Sequence, residues 1–240
     1  MQKKLLVIGG TGFVGNAICR YALTQGVKVY SLSRSGRQGS EPWKNDVEYI
    51  RGDALNTASY KDILSDCDAV IHTVGILLDA NTFSTRTSYE GSYEHMNRDT
   101  ALAAVKLLEG TDKTFVYVSA ERGVPVAPRY LSTKREVEDY LKMNSDKFNY
   151  AIVRPGFMYS DQDYIKKCVA TGVDLAHWFD SFYRQVGMGW LANQLVPAKS
   201  LPVDVVAKVA VLSALKGDLR GRILDVRDIE EVAQQYHSID

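Results

Sequence analysis

The chain has 240 residues, of which 45% are hydrophobic and 24% charged; this is an ordinary globular composition and length enough to bury one full core. The 29 acidic and 29 basic side chains balance, which disfavours nucleic-acid binding. The three cysteines, Cys19, Cys67 and Cys168, are widely spaced, which argues against a disulfide framework and favours a reducing compartment. The sequence has no run of 18 apolar residues, and its first residues read as a strand rather than as a signal or transit peptide.

Strand-like apolar runs alternate with helical patterns along most of the chain. We expect strands at residues 5–8, 27–31, 47–50, 69–73, 114–119, 150–154 and 222–226. We expect helices at residues 13–25, 57–65, 93–109 and 204–215 and within residues 127–142. Strands that are apolar throughout and are joined by helices are typical of an α/β protein whose parallel sheet is covered on both faces.

Residues 155–202 lack a regular period and are rich in aromatic side chains and glycines. We interpret them as an irregular substrate-binding or lid segment inside a single domain that spans residues 1–240. A surface that contacts a protein partner or a membrane could have the same composition, so the role of the aromatic residues at 176–190 stays open.

Four glycines, Gly9, Gly10, Gly12 and Gly15, stand between the first predicted strand and the first predicted helix. Such a turn lets backbone N–H groups approach a pyrophosphate, and the helix N-terminus favours its negative charge. A glycine motif alone is a weak signal, but here it directly follows a short apolar strand, which is the context that dinucleotide binding requires. The sequence therefore predicts a Rossmann-type doubly wound parallel sheet that binds NAD or NADP.

The end of the second strand favours NADP(H) over NAD(H). An acidic residue there would hold the ribose 2′-hydroxyl of NAD, whereas an arginine suits the 2′-phosphate of NADP. The sequence reads "SLSRSGRQG", with Ser33, Arg34 and Arg37 and no acid. A loop arginine can also be merely solvated, so the residue types alone leave that alternative open.

Tyr130 and Lys134 form a YxxxK pair downstream of Ser119. On a helix, Lys134 shares an apolar stripe with Tyr130, Val137 and Leu141, which is unfavourable unless its ammonium group reaches solvent at the edge of the stripe or a polar partner lies beside it. The spacing is common by chance, but the pair follows the fifth strand, whose carboxyl end is where ligands bind in such sheets. We expect the lysine to lower the pKa of the tyrosine from about 10 toward neutrality, so that the phenol can act as a general acid or base.

The other charged residues of this helix are expected on its solvated face. Arg135 with Asp139, and Glu138 with Lys142, have the i,i+4 spacing of surface ion pairs. At the end of the sixth strand, Arg154 could position a substrate or could simply pair with a surface acid.

Several of these motifs together resemble the extended and atypical short-chain dehydrogenases/reductases. The resemblance rests on "GGTGFVG", "GDAL", "IHTVG", Ser119, "YLSTK" and "RPG", and it covers residues 4 to about 158. It implies that Tyr130 is the proton donor or acceptor, that Lys134 contacts the cofactor and the tyrosine, and that Ser119 positions a substrate carbonyl. Asn97 corresponds more loosely to the proton-relay asparagine of the family.

The resemblance also implies a set of cofactor contacts. They are Gly9, Gly10, Thr11, Gly12, Phe13, Val14, Gly15, Ser33, Arg34, Asp53, Ala54, Thr73, Val74, Gly75, Lys134, Pro155 and Gly156. Asp53 corresponds to an adenine contact, although a loop or capping role is equally open. No metal site is expected, because the histidines do not cluster with cysteines or carboxylates at ligand spacing.

The segments "GILL", "YLSTKREVE" and "IVRPGFM" are similar to a fungal mitochondrial sub-family that serves coenzyme Q biosynthesis. A more distant similarity is to the NADPH-binding accessory subunits of respiratory complex I. The resemblance implies a quinone-like substrate, a protein complex of quinone biosynthesis, and peripheral contact with the matrix side of the mitochondrial inner membrane. The alternative is a catalytically silent, nucleotide-bound assembly factor of such a complex.

Overall fold

A computed structural model of the chain describes residues 2–36, 40–76, 89–121, 128–160 and 200–236. The strands within these residues are β1 (Lys4–Ile8), β2 (Lys28–Ser33), β3 (Val47–Arg51), β4 (Ala69–His72), β5 (Thr114–Val118), β6 (Asn149–Val153), β7 (Met158–Tyr159), β8 (Leu201–Pro202) and β9 (Ile223–Leu224). The α-helices within them are α1 (Phe13–Thr24), α2 (Lys61–Asp66), α3 (Thr100–Lys106), α4 (Pro128–Met143), α5 (Val203–Leu215) and α6 (Val226–Gln235).

Seven of the described strands form one parallel sheet in the order β3-β2-β1-β4-β5-β6-β9. Without β9 this is the strand order of the Rossmann fold, so the predicted fold class is confirmed. The order reverses between β1 and β4, and in such sheets ligands bind at that point, outside the carboxyl ends of the strands. The glycine turn follows β1 and residues 73–75 follow β4, so two of the predicted cofactor segments border this crevice.

Two apolar layers cover the sheet and hold the site in place. On one face, α1, α5 and α6 pack against the strands through side chains such as Ile18, Val206 and Ile229. On the other face, α2, α3 and α4 do so through side chains such as Leu64 and Val137. Burial on both faces explains why the central strands are apolar throughout instead of alternating.

The helix predicted at residues 93–109 is not a regular α-helix over its length. It begins as a π-helix, Glu94–Asp99, which continues directly into α3. The helix predicted at residues 57–65 likewise begins with a 3₁₀ turn, Thr57–Ser59, before α2. Hydrophobic periodicity misses both departures because stretches of 6 and 3 residues are too short to establish a period of their own. π-Helical turns are frequent at functional sites.

The C-terminal end of the described chain differs most from the prediction. The pattern at residues 222–226 predicts a strand, but only Ile223–Leu224 pairs with β6, and Val226 already begins α6. The reason is local: the Asp225 carboxylate accepts hydrogen bonds from the backbone N–H groups of Arg227 and Asp228, and the Asp228 carboxylate accepts one from the backbone of Asp225. This capping box starts a helix where hydrophobic alternation suggested a longer strand.

The predicted substrate or lid segment falls largely outside the described residues. At its two ends, Met158–Tyr159 and Leu201–Pro202 pair in parallel, while residues 161–199, including the aromatic residues at 176–190, are not among those described. None of the described helices is long and apolar enough to cross a membrane. The described ranges also contain no group of three or more His, Cys, Asp or Glu side chains that could hold a metal ion.

Candidate nucleotide and catalytic site

Close approaches of the backbone explain the glycines of the first turn. Gly9 has a φ of +88°, and a Cβ there would lie 2.7 Å from the Thr73 hydroxyl oxygen. A Cβ on Gly15 would lie 2.2 Å from the Gly9 carbonyl oxygen, so only glycine lets α1 pack this closely on the turn. A Cβ on Gly12 would lie 3.2 Å from the Gly9 carbonyl oxygen, and Gly12 lines the crevice. The turn thus fits a pyrophosphate at the N-terminus of α1.

A crevice of about 350 Å³ runs from the glycine turn along the carboxyl edge of the sheet. Its lining contains many of the predicted cofactor contacts: Gly9, Thr11, Gly12, Ser33, Arg34, Asp53, Ala54, Thr73, Val74 and Gly75. It also contains residues that sequence reasoning missed: Ile8, Leu32, Ser35, Gly52, Glu90, His95, Met96 and Thr100. The first four adjoin predicted contacts at the ends of β1, β2 and β3, so the strand pattern could have found them. The last four lie before, within and directly after the π-helix, and no local sequence pattern predicts the path of this segment.

The remaining predicted contacts lie outside this lining: Gly10, Phe13, Val14, Gly15, Lys134, Pro155 and Gly156. A Cβ on Gly10 would lie 2.3 Å from the Ser31 hydroxyl oxygen, so this glycine serves the packing of the turn on β2. Val14 packs against the apolar layer on the α1 face, whereas the Phe13 side chain is exposed. Pro155 is buried, and its carbonyl oxygen accepts a hydrogen bond from the backbone of Glu121 at 2.8 Å.

The end of β2 carries hydroxyl groups and a guanidinium instead of a carboxylate. The Ser33 hydroxyl oxygen accepts a hydrogen bond from the Gly36 backbone at 3.1 Å and lies 3.4 Å from the Ser35 hydroxyl oxygen. Arg34 is exposed and lines the crevice. Across the crevice, the Asp53 carboxylate accepts a hydrogen bond from the Leu55 backbone at 2.9 Å, so it has the loop role and also faces the nucleotide crevice.

Lys134 lies inside the protein, and its ammonium group has polar and aromatic partners there. The side chain is 5% exposed, and its Nζ donates a hydrogen bond to the Val118 carbonyl oxygen at 3.0 Å. The same Nζ lies 5.7 Å from the centre of the Tyr130 ring and 5.2 Å from that of Tyr117. A Cβ on Gly75 would lie 3.4 Å from it, which places the ammonium group beside the crevice. The polar partner that the sequence required for Lys134 is therefore the carboxyl end of β5.

The pKa values of this pair move in the opposite direction from the prediction for the tyrosine. Burial raises the pKa of Tyr130 to about 12, nearby Tyr93 adds to the rise, and Arg135 opposes it. Burial lowers the pKa of Lys134 to about 8, although Glu138 opposes the shift. The expected lowering of the tyrosine pKa is wrong for this structure, because desolvation of the phenol outweighs the opposing charge, which Arg135 and not Lys134 supplies.

Asn97, which lies in the π-helix, borders the same glycine as Lys134. It is fully buried, its Oδ1 accepts a hydrogen bond from the Ile76 backbone at 2.7 Å, and its backbone carbonyl accepts one from the Tyr117 hydroxyl at 2.9 Å. A Cβ on Gly75 would lie 3.0 Å from Asn97 Oδ1 as well as 3.4 Å from Lys134 Nζ. The predicted relay residue and the predicted lysine therefore meet at the same glycine after β4.

The Ser119 hydroxyl bonds a carboxylate of the protein, whereas the resemblance implied that it positions a substrate carbonyl. Its hydroxyl donates a hydrogen bond of 2.6 Å to the carboxylate of Glu138, which is fully buried. Arg154 donates two hydrogen bonds to the same carboxylate, and Arg135 forms a close ion pair with it. To hydrogen-bond a substrate carbonyl, the hydroxyl of Ser119 would have to turn away from a charged acceptor, which is the stronger partner.

This cluster corrects the prediction of two surface ion pairs on α4. Arg135 pairs with Glu138 and Lys142 pairs with Asp139, both at i,i+3, and Glu138 faces the protein interior. Arg154 pairs with this buried acid, not with a surface one. The sequence pattern failed here because only the position of β5 and β6 decides which face of α4 is solvated.

The chain matches the sequence model of the NAD(P)H-binding family over residues 9–177, and it belongs to that family. It is 31% identical over 206 residues to MIOREX complex component 2 of Saccharomyces cerevisiae, covering 67% of this chain and 74% of that protein. It is 28% identical over 248 residues to an uncharacterized chloroplastic protein of Arabidopsis thaliana, covering 99% and 79%. It is 20% identical over 172 residues to a 4-hydroxy-2-methyl-3-oxo-4-farnesyl-3,4-dihydroquinoline-1-oxide ketoreductase of Stigmatella aurantiaca, covering 67% and 52%.

Among solved structures, ElxO with NADP bound has the same fold, with a TM-score of 0.69 and 18% identity over 94% of this chain and 97% of that one. The family match defines an NAD(P)H-binding protein, and its fold is that of ElxO; the ketoreductase relative agrees with the resemblance to the short-chain dehydrogenases/reductases. The sequence resemblance to that family is thereby confirmed.

Proposed function

We propose that the protein is an NADP(H)-dependent oxidoreductase that reduces a carbonyl group or oxidises the corresponding alcohol. The observation that carries the proposal is the position of Lys134: its ammonium group lies between the Tyr130 ring and Gly75, a glycine of the crevice lining that Asn97 also borders. When bound, the nicotinamide supplies or accepts a hydride. A structural nucleotide site alone would not require a buried lysine, because burying an ammonium group is unfavourable.

We assign each part of the proton transfer to a side chain of this site. A pKa of about 12 keeps Tyr130 protonated at neutral pH, so the phenol suits proton donation to a carbonyl oxygen in the reductive direction. Lys134, with a pKa of about 8, can exchange a proton near neutrality and can compensate the charge left on the phenol. Asn97 would link this pair to the crevice, and Ser119 would position the carbonyl once its hydroxyl leaves Glu138.

The preference for NADP(H) is part of the proposal. It is supported by Arg34 and by the hydroxyl groups of Ser33 and Ser35 in the crevice, at a position where an NAD site would carry an acid. Arg34→Ala should weaken NADPH binding and leave NADH binding nearly unchanged in a fluorescence titration. Equal weakening of both nucleotides, or of neither, would contradict the preference.

We further propose a quinone-like substrate, a role in or beside coenzyme Q biosynthesis, and a position at the matrix side of the mitochondrial inner membrane with peripheral contact. The sequence resemblance to the coenzyme Q sub-family supports the substrate. The relative named as a MIOREX complex component supports membership in a protein complex, and the chloroplastic relative supports an organelle. Mass spectrometry of the nucleotide and lipid that co-purify with the protein would test these assignments. Recovery of no nucleotide, or of NAD(H) with no quinone-like lipid, would count against them.

A catalytically silent assembly factor is the second candidate. The hydrogen bond of Ser119 to Glu138 favours it, because this hydroxyl is not free to hold a substrate carbonyl in this structure. Tyr130→Phe separates the two functions. If the protein is an enzyme, this variant keeps its NADPH affinity but fails to complement a deletion strain. Tyr140→Phe is the matched control on α4, since Tyr140 hydrogen-bonds Glu109 at the surface. Full complementation by Tyr130→Phe would favour the assembly factor.

A further inference from the structure

We infer that Arg51, the last residue of β3, is a second guanidinium that recognises the 2′-phosphate of NADP(H) together with Arg34. The inference rests on the proposed NADP(H) binding and deepens it, because it names a specificity residue on a strand that no nucleotide motif covers. Neither the glycine turn nor the end of β2 points to β3.

The register of the sheet places Arg51 beside the end of β2. In the parallel pair β2–β3, Arg51 is the partner of Ser33, and the Gly52 backbone donates a hydrogen bond of 3.0 Å to the Ser33 carbonyl oxygen. The end of β2 is where the adenosine ribose of a dinucleotide lies in this fold. Arg51 is therefore one strand spacing, about 4.8 Å, from the residue that would hold the ribose.

Arg51 also lies on the appropriate face of the sheet. Side chains alternate along a strand, so Arg51 projects to the same face as Val47 and Tyr49, which pack in the apolar layer of α1. Ser31, beneath the glycine turn, marks the same face on β2. The N-terminus of α1 on this face would hold the pyrophosphate of a bound dinucleotide, so a phosphate on the neighbouring ribose would meet both β2 and β3.

The loop after β2 packs directly on Arg51. Gly36 has a φ of +54°, and a Cβ there would lie 2.7 Å from the Cβ of Arg51 and 3.2 Å from its Cα. The turn that carries Arg34 and Ser35 is thus folded back against the base of the Arg51 side chain. Arg34 lines the crevice, and Arg51 lies directly beside this lining, between the Arg34 turn and Gly52, so an arginine side chain from either position is long enough to reach a phosphate there.

Neither Arg34 nor Arg51 forms an ion pair with a described residue. Most arginines in the described ranges have a carboxylate within 4.0 Å: Arg20, Arg98, Arg129, Arg135, Arg154, Arg220 and Arg222. Of the described arginines, Arg34, Arg51 and Arg227 have no such partner among the described residues, and all three are exposed. A 2′-phosphate carries close to two negative charges and accepts paired hydrogen bonds from guanidinium groups, so two adjacent free arginines match its charge.

The test is a titration of wild type, Arg34→Ala, Arg51→Ala and the double variant with NADPH, NADH, 2′,5′-ADP and 5′-AMP. The first and third ligands carry the 2′-phosphate, and the other two lack it. We expect Arg51→Ala to weaken NADPH and 2′,5′-ADP by about 10- to 100-fold, the range for loss of a charged hydrogen bond, and NADH and 5′-AMP by less than about twofold. Arg51→Gln keeps most of the side-chain stem and should behave like Arg51→Ala, and Arg227→Ala, at the start of α6, should bind all four ligands like wild type.

The outcomes separate this inference from the proposed function. If wild type binds NADPH no more tightly than NADH, both the proposed cofactor preference and the role of Arg51 are overturned. If wild type prefers NADPH and Arg34→Ala removes the preference, but Arg51→Ala and Arg51→Gln keep it, only the role of Arg51 is overturned. Equal weakening of all four ligands in both Arg51 variants would assign Arg51 to the stability of the β2–β3 edge and would also overturn the inference.

Discussion

Replacement of Glu138 by glutamine would show how much the buried carboxylate contributes to the site. In the structure this group is fully buried and bonded to Ser119, Arg135 and Arg154, so it joins α4 to the ends of β5 and β6. Glu138→Gln keeps the shape and one acceptor oxygen but leaves two guanidinium groups without their counter-charge. Breaking a buried ion pair from one side costs about 3–5 kcal/mol, and the retained acceptor places this variant near the lower limit.

The measurement is reversible urea or thermal unfolding of the purified protein. A loss of about 3 kcal/mol corresponds to a decrease in Tm of roughly 6–12 °C for a chain of this size. Glu136→Gln is a matched control on the same helix: Glu136 also pairs with an arginine, Arg98, at 2.8 Å, but its side chain is 51% exposed. An exposed pair is worth only about 0–1 kcal/mol, so the control should lose little. Equal losses in the two variants would refute the reasoning, because burial would then not set the magnitude.

The same group predicts a dependence of stability on pH. Burial alone raises the pKa of Glu138, but the hydrogen bonds from Arg154 and Ser119 and the charges of both arginines outweigh it, so the pKa lies below its ordinary value of 4.5. A carboxylate with a lowered folded-state pKa stabilises the protein above the unfolded pKa, and this stabilisation is lost as the pH falls through the folded pKa. Below about pH 4.5 the free energy of unfolding of wild type should therefore fall more steeply than that of Glu138→Gln. Parallel curves would show that the carboxylate is not stabilised as the structure indicates.

Three further predictions concern the turn and the buried titratable groups. Gly15→Ala should abolish NADPH binding and destabilise the protein, because its Cβ would lie 2.2 Å from the Gly9 carbonyl oxygen. Gly26→Ala is the control: its Cβ would have no atom within 4 Å, so its φ of +68° should lower the free energy of unfolding by only about 1 kcal/mol. Burial, with a smaller effect of Lys134, lowers the pKa of His72 to about 3. The free energy of unfolding of wild type should therefore fall by up to about 1.4 kcal/mol per pH unit as the pH drops from 6.5 to 3, and that of His72→Gln should depend less on pH. Burial raises the pKa of the Cys19 thiol to about 12, so alkylation at pH 8 should be slow in the folded protein and fast in urea; rapid labelling without denaturant would contradict the burial of α1.

Local patterns were enough to predict the sheet and the nucleotide turn. Strands that are buried on both faces can be recognised by their apolar composition, and Gly15 is needed for a contact with Gly9 in the same turn. Lys134 was also informative by itself, because a lysine in an apolar stripe requires a polar partner wherever the helix packs. These features depend on short-range geometry, which a sequence specifies directly.

Only the tertiary structure decides the hydrogen-bond partners and the burial of the side chains that the sequence predicts for the site. Lys134 finds its partner in the Val118 carbonyl, Ser119 donates to Glu138, and Glu138 is buried although its helix spacing suggested a surface ion pair. These outcomes depend on which strands lie against α4, and residues that are far apart in the chain supply those strands. The sequence by itself indicated many of the side chains that line the crevice, but hydrogen-bond direction and pKa depend on desolvation and charge at close range, and only the packed fold sets those distances.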